Sequence, residues 1–243
     1  MSFINVHNIT KSFGKNRVLS GLNLEIKKGE SFVIAGRSGS GKSVLVKILL
    51  NLLQADHGSL TVHTKKVHDL QEALSVGMLF QSSALFDSFT VIDNVCFSLT
   101  QNKKMSKLDA YEIGLRKLKE VDLDPSIAHL YPQELSGGMQ KRVSLARAIA
   151  ADPEVLFFDE PTTGLDPITS SIINELISKC VKNLGATAIT ITHDIQSIKR
   201  IGDRLGLLHQ GRFVWIGDVE GLDHNVDPAV FQFMNGLSLG PLT

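Results

Sequence analysis

The chain has 243 residues, of which 43% are hydrophobic and 21% are charged; this composition is typical of a globular protein and excludes intrinsic disorder. Lys plus Arg and Asp plus Glu number 25 each, so no net field attracts nucleic acid, and we predict no nucleic-acid partner. No run of about 18 apolar residues would span a bilayer, and the first residues lack the pattern of a secretory signal, which predicts a cytosolic protein.

The cysteine content points to a reducing compartment. Cys96 and Cys180 are the two cysteines of the sequence, and their spacing matches no metal-binding pattern. We therefore expect two buried thiols and no disulfide.

The first thirty residues predict two strands of an antiparallel layer. Apolar residues recur from Ile4 to Ile9, and they alternate with polar residues from Leu22 to Ile26, as in strands with one buried face. Phe13 lies between them in a stretch predicted to be a polar loop. Its ring could stack on an adenine or cover the core, and the residues alone leave both open.

The next segment is a phosphate-binding motif. An apolar strand, 31–35, and a helical run, 44–53, flank the sequence Gly36-Arg37-Ser38-Gly39-Ser40-Gly41-Lys42-Ser43. The glycines allow successive N–H groups to face one anion, and the helix directs its positive end to the same place. We predict a bound triphosphate, with Lys42 on the outer phosphates and the Ser43 hydroxyl on Mg²⁺.

A polar residue follows the next predicted strand, 75–80. Gln81 stands at the carboxyl end of that strand, which is the edge where α/β proteins bind ligands. Its amide could ligate Mg²⁺ or orient water, but it could equally be a polar residue that ends the strand.

A helical insertion is predicted after this strand. Thr90 and Asp93 have the spacing of a helix cap. A second helix follows, and its apolar face is predicted to lie in the core: Leu108, Tyr111, Leu115 and Leu118.

A second anion site is predicted at residues 135–140. Ser136 is a favourable N-cap, and Gly137 and Gly138 leave the backbone at the positive end of the helix uncovered. An ordinary capped helix would need neither the double glycine nor Gln140.

Two carboxylates follow the buried strand 155–158. Asp159 and Glu160 are costly to bury unless they meet a cation, which predicts that Asp159 serves Mg²⁺ and that Glu160 polarises the attacking water. Asp166, before Pro167, has the pattern of an N-cap. His193 follows the strand 187–191 and is either a satisfied polar residue or a donor to the γ-phosphate.

These motifs, in this order and spacing, resemble the ATP-binding cassette of ABC transporters over nearly all of residues 1–220. The resemblance implies an α/β fold: a P-loop NTPase (RecA-like) core, residues 1–82 and 156–220, with an antiparallel β subdomain and a helical subdomain at about 83–155. It also implies that two copies close head to tail around ATP and Mg²⁺, so that Ser136, Gly138 and Asp166 of one copy meet the nucleotide of the other.

The resemblance assigns a role to each candidate residue. Glu160, His193 and Gln81 are implied to be catalytic, and Ser43, Gln81 and Asp159 to hold Mg²⁺. The implied ATP-binding residues are Phe13, Val18, Gly36, Arg37, Ser38, Gly39, Ser40, Gly41, Lys42, Ser43, Ser136, Gly137, Gly138, Gln140 and Asp166.

A narrower resemblance is to the Mla/Mce group of phospholipid transport ATPases, on residues 79–87, 134–167 and the tail from Phe231 to Leu242. It implies a peripheral subunit on the cytoplasmic face of a bacterial inner membrane, which energises integral-membrane permease subunits and works with a periplasmic Mce-type lipid-binding protein. The C-terminal tail, residues 221–243, is predicted to contact the partner copy or the permease.

Three alternatives stay open: an ABC ATPase for another solute, a non-transport ATP-dependent clamp, and a regulatory dimer that binds ATP without useful turnover. A clamp would be expected to carry a long coiled coil, a second cassette or a basic DNA-binding face, and the sequence has none of these patterns.

Overall fold

A computed structural model describes residues 2–63, 65–101 and 105–243. Its strands are β1 (Ser2–Phe13), β2 (Asn16–Lys27), β3 (Ser31–Ala35), β4 (His57–Val62), β5 (Lys65–Val67), β6 (Val76–Leu79), β7 (Val155–Asp159), β8 (Thr187–Ile191), β9 (Arg204–His209) and β10 (Arg212–Asp218). Its α-helices are α1 (Lys42–Leu49), α2 (Val91–Gln101), α3 (Lys107–Glu120), α4 (Gly137–Ile149), α5 (Pro167–Leu184), α6 (Ile195–Ile201) and α7 (Pro228–Met234). Short 3-10 helices occur at Pro125–His129, Pro132–Glu134 and Leu222–His224.

The chain divides into two compact units. The first comprises Met1–Leu74 and Ile189–Thr243, and the second comprises Ser75–Ala188. The core and helical subdomain limits drawn from the sequence stay a prediction.

The first unit contains the predicted antiparallel layer. Its strands follow the order β2-β1-β4-β5, and β1 pairs antiparallel with β2 and β4, which confirms the prediction. The loop predicted around Phe13 is wrong, because Phe13 is the last residue of β1 and pairs with Asn16. Gly14, at φ +59°, allows a two-residue connection between the strands, so the ladder continues to its end.

The first unit also contains the predicted strand, loop and helix. β3 pairs in parallel with β9, and β9 pairs antiparallel with β10. The last four residues of β3 are buried, as expected of a parallel strand covered on both faces. The helix that follows is shorter than predicted: α1 ends at Leu49 rather than Leu53, because Asn51 adopts a left-handed φ of 56° and Leu52 is exposed.

The second unit holds the helical insertion around two parallel strands, β6 and β7. Helices α2, α3 and α4 pack on one another. α2 begins after Thr90, whose hydroxyl accepts the N–H of Asp93 at 3.2 Å, which confirms the predicted cap. β8 follows the predicted bounds, and the division between the two units falls within it.

The predicted core face of α3 is right at Leu118, which is buried, and wrong at its first two residues. Leu108 is 69% exposed and Tyr111 is also exposed, whereas the buried residues of this helix are Ala110, Gly114, Lys117 and Leu118. A Cβ on Gly114 would lie 2.5 Å from Ile92 and 2.6 Å from the Cys96 sulfur, so the helix approaches α2 through its smallest residues. A helical repeat of large apolar residues predicts which face is buried only when large side chains fill the contact. It does not reveal a face that is buried because two helix backbones lie close together.

Both cysteines are buried free thiols, as predicted. Burial raises the pKa of Cys96 to about 11 and that of Cys180 to about 11. Both thiols therefore stay protonated at neutral pH, where a thiol is a poor nucleophile.

Candidate functional site

The phosphate-binding motif of the first unit is a tight loop that needs its glycines. Gly36, Gly39 and Gly41 have φ values of +150°, +79° and +107°. A Cβ on Gly36 would lie 2.2 Å from the backbone oxygen of Leu208, so no other residue fits there. Gly41 is also the N-cap of α1, and no side chain caps this helix. The N–H groups at the start of α1 are therefore not covered by a capping side chain and can meet an anion.

The charges and polar groups of the loop suit a phosphate ligand. The Lys42 ammonium lies against the loop, where it donates to the backbone oxygens of Gly36 at 2.7 Å and Arg37 at 3.0 Å. The Ser40 hydroxyl is buried and has no hydrogen-bond partner among the residues that the structure describes. A buried unpaired hydroxyl beside a lysine and an uncapped helix end fits a bound nucleotide phosphate.

The structure brings Val18 to this loop. A Cβ on Gly41 would lie 3.1 Å from the Val18 backbone oxygen and 3.5 Å from its side chain. Phe13, at the end of β1, is 49% exposed, and the Lys11 ammonium lies 5.6 Å from its ring centroid. An exposed ring of this kind is available for stacking on a base. His193 lies two residues beyond β8 and is exposed.

The predicted second anion site lies in the second unit, at the start of α4. The Ser136 hydroxyl accepts the N–H of Met139 at 3.3 Å, which confirms the predicted N-cap. A Cβ on Gly138 would lie 2.8 Å from a methyl of Thr169, so glycine is needed for the approach of α5. The side-chain amide of Gln140 donates to the backbone oxygens of Pro132 at 2.9 Å and Leu135 at 3.4 Å, and thereby fixes the segment before the helix.

Three side chains of α4 hold the loop that contains Gln81, and sequence reasoning missed all three. The buried ammonium of Lys141 donates to the backbone oxygen of Gln81. The Ser144 hydroxyl donates to the backbone oxygen of Ser83 at 2.9 Å, and Arg147 donates to the same oxygen at 2.8 Å. The signal was available, because these residues recur every three positions along one helix face. We call Lys141, Ser144 and Arg147 the α4 clamp.

The two predicted carboxylates end β7. Asp159 is its last residue, and Glu160 adopts a left-handed φ of 46°, a conformation that often marks functional sites. The Thr163 hydroxyl donates to the Glu160 carboxylate at 3.3 Å. Burial lowers the pKa of Lys141, and the charges of Asp159 and Glu160 act in the opposite direction. Within the α4 clamp, Lys141 therefore lies in the field of both carboxylates.

Asp166 caps α5, as predicted. Its carboxylate accepts hydrogen bonds from the N–H groups of Ile168 and Thr169 at 3.0 Å each, and from the Thr169 hydroxyl. The hydroxyl bond, followed by the backbone bonds, lowers the pKa of Asp166. Asp166 therefore remains ionised well below neutral pH and presents a negative charge at the surface.

Among the described residues, no helix combines the length and apolar character that crossing a bilayer requires. The described part of the chain also holds no group of three or more His, Cys, Asp or Glu side chains arranged to bind a metal ion.

Comparison with known proteins gives the family. The sequence profile of ABC transporters matches residues 19–163. The protein trigalactosyldiacylglycerol 3 of Arabidopsis thaliana is 38% identical over 98% of this chain and 75% of its own length. The L-cystine import ATP-binding protein TcyN of Bacillus subtilis is 38% identical over 97% of this chain and 93% of its own. The intermembrane phospholipid transport system ATP-binding protein MlaF of Haemophilus influenzae is 35% identical, over 99% and 93%.

The fold leads to the same family. A solved ATP-binding cassette, in a dimeric post-hydrolysis state bound to ADP and Pi, superposes with a TM-score of 0.79 at 31% identity, over 90% of this chain and 99% of that chain. The predicted α/β P-loop NTPase fold is confirmed. The chain belongs to the ABC transporter family and is one of its ATP-hydrolysing subunits.

Proposed function

We propose that this ATPase energises a membrane permease that moves phospholipid, and that two copies work together with ATP bound between them. The proposal that two copies share ATP is supported by one observation: two helices of the chain, α1 and α4, begin at glycines. The lipid part is supported by similarity to MlaF over 99% of this chain. The Arabidopsis thaliana relative bears the name of a galactolipid, which also supports a lipid cargo.

The first unit supplies the groups that bind the nucleotide. In this proposal the start of α1 and Lys42 hold the phosphates, as the uncapped helix and the Lys42 contacts with the loop indicate. Phe13 stacks on the adenine, Val18 lines the loop, and His193 contacts the γ-phosphate. Each of these roles needs only a contact with the nucleotide, through an aromatic face, an apolar side chain or a ring N–H.

The second unit supplies the proposed general base and the glutamine that orients the attacking water. Glu160 polarises the attacking water as the general base, and Gln81 orients it. The Ser43 hydroxyl, the Gln81 amide and the Asp159 carboxylate are each proposed as a Mg²⁺ ligand, because Mg²⁺ prefers oxygen donors. When bound, the ion would neutralise charge on the phosphate oxygens.

The two copies are proposed to close head to tail. Ser136 and Gly137 are exposed at the start of α4, where a positive helix end is available to the nucleotide of a second copy. Gly138 and Asp166 would complete this contact. A relative of the same fold is a dimer in its ADP- and Pi-bound state, which supports the arrangement. Closure would perform mechanical work on the permease, and hydrolysis would reset it.

The proposed setting is the cytoplasmic face of a bacterial inner membrane. The chain would bind integral-membrane permease subunits there as a peripheral subunit. A periplasmic Mce-type lipid-binding protein is the proposed third component. The tail, residues 221–243, would contact the partner copy or the permease.

The cargo is tested with the intact complex. The tagged chain is purified from membranes of its own organism with the subunits that accompany it, and the complex is reconstituted in nanodiscs. We expect phospholipid to copurify and to stimulate ATP hydrolysis, whereas cystine should not. Stimulation by a soluble solute, with no lipid enrichment, would reject the phospholipid proposal and leave the ATPase intact.

A second candidate is an ABC ATPase for another solute. It is favoured by one observation, the 38% identity to the L-cystine import protein over 97% of this chain. The same reconstituted complex decides between the two, because cystine in place of phospholipid would then raise the hydrolysis rate.

A further inference from the structure

Residues 237–243, which we call the strap, fold back onto the first unit. Leu239 is 82% exposed, but Leu242, three residues on, is only 4% exposed. A segment without helix or strand that buries one leucine in this way is docked rather than free.

The side-chain amide of Gln232, on α7, fixes the shape of the strap. Gln232 is 4% exposed; its nitrogen donates to the Leu237 backbone oxygen at 3.1 Å, and its oxygen accepts the Leu242 N–H at 2.7 Å. Gly240 passes the same amide at φ +152°, where a Cβ would lie 2.6 Å from the Gln232 side chain. Both ends of one buried amide are therefore used to hold the strap in one conformation.

The strap ends on the phosphate-binding loop. The Arg37 guanidinium donates to the Leu242 backbone oxygen at 3.0 Å, across 205 positions of the sequence. The backbone oxygen of Arg37 accepts the Lys42 ammonium at 3.0 Å and the Ser40 N–H at 3.2 Å. Arg37 therefore contacts the strap through its side chain and the rest of the phosphate-binding loop through its backbone oxygen.

We propose that Arg37 is a positioning residue through which the docked strap preorganises the phosphate-binding loop and tightens nucleotide binding. A loop held in its binding conformation loses less conformational entropy when the ligand arrives. The coupling is reciprocal, so bound nucleotide strengthens strap docking by the same factor. A partner that captures the strap would release Arg37 and weaken nucleotide binding, which makes the strap a regulatory connection. The inference rests on nucleotide binding at this loop and not on the cargo.

A double-mutant cycle in the full chain tests the proposal. The variants are Arg37→Ala, deletion of residues 240–243, and both together, with the exposed Leu239→Ala as the matched control. The measured quantity is the Kd of a fluorescent ADP analogue. We expect each change alone to raise Kd about five-fold, the double variant to be no weaker than the worse single variant, and Leu239→Ala to bind normally.

Two further readouts separate positioning from a general loss of structure. KM for ATP should rise while kcat stays within about two-fold, and Arg37→Lys, which keeps one donor, should restore part of the affinity. If the deletion impairs folding, as judged by its melting temperature, Gln232→Glu loosens the strap without shortening it and should raise Kd in the same direction.

The proposal is overturned if folded strap variants bind ADP as tightly as the parent chain, or if the two effects multiply in the double variant. A parent chain that binds no nucleotide would instead reject the assigned function. The two failures are therefore distinguishable.

Discussion

Two helices of this chain begin at predicted anion sites, and they begin differently. α1 follows Gly41, which has a left-handed φ of 107° and offers no capping side chain. α4 follows Ser136, which has an extended backbone and a hydroxyl that already accepts one N–H of the first turn. An anion at α1 meets backbone donors directly, whereas an anion at α4 would meet the serine hydroxyl as part of its site. In the proposed function, α1 binds the nucleotide of its own copy and α4 completes the site held by another copy.

The two helix starts also differ in their supports. The phosphate-binding loop before α1 is held by Lys42 and by the contact of Arg37 with Leu242. Lys42 and Arg37 both belong to this loop. α4 is fixed by its clamp on residues 81–84, away from its N-terminus. Changes at α1 should therefore alter nucleotide affinity, and changes at α4 should alter turnover.

The largest effect is expected at the chemical step of hydrolysis and not at either helix start. The effects of changes at α1 and α4 can be compared with it. Glu160→Gln removes the proposed base and should slow turnover by about two to four orders of magnitude while ATP binding is retained. Steady-state hydrolysis and nucleotide affinity measure the two quantities. Glu112→Gln, on the exposed side of α3, is the matched control. Near-normal hydrolysis by the Glu160 variant would refute the assignment.

At α1, Lys42→Ala should weaken nucleotide binding by about 100-fold, the scale for a charge-assisted contact with phosphate. Equilibrium binding of an ADP analogue measures the change. Lys47→Ala, an exposed lysine of the same helix, should bind normally. Equal losses in the two variants would mean that net charge, and not the loop contact of Lys42, governs affinity.

At α4, Ser136→Ala should lower turnover about ten-fold and leave ADP affinity unchanged. It should also lower the free energy of unfolding by about 1 kcal/mol through loss of the N-cap. Ser106→Ala removes the equivalent cap of α3, where the serine accepts the Asp109 N–H at 3.2 Å. That control should cost similar stability without a change in turnover. Equal turnover in the two variants would remove α4 from the site.

The smallest effect is a pH dependence at Asp166. Because its hydrogen bonds lower its pKa below the ordinary 3.8, its ionised form stabilises the fold above pH of about 3.8, and this stabilisation is lost as pH falls through the lower folded value. Asp166→Asn keeps a capping group but removes the charge. Denaturant unfolding should show the variant less stable at pH 7 and equal to the parent below that window. A difference that persists unchanged at pH 2 would contradict the assignment.

The sequence was most informative where chemistry depends on consecutive residues. The phosphate loop and the caps at Ser136 and Asp166 are set by neighbours a few positions apart, so local rules predicted them. The core face of α3 depends on how closely Gly114 approaches Cys96, and that distance is a property of the packed molecule. Lys117 illustrates the same limit: burial opposes its charge, but its ion pairs with Asp152 at 2.8 Å and Glu120 at 3.1 Å outweigh this and raise its pKa.

The contacts that support the candidate site were also beyond local rules. The α4 clamp joins residues about 60 positions apart, and the strap reaches Arg37 from 205 positions away. Single-sequence patterns carry no information about which distant backbone oxygen a lysine or arginine will meet. Candidate functional residues could therefore be proposed from the sequence, whereas the distant contacts that hold them in place could not.

The most direct test is the mass in solution of the Glu160→Gln variant with saturating ATP, measured by sedimentation velocity alongside the parent chain without nucleotide. We expect a dimer that retains two ATP molecules, and we expect the dimer to be lost when Ser136 is replaced by a bulky residue. Single copies under all of these conditions, including in the presence of the permease, would contradict the shared nucleotide site.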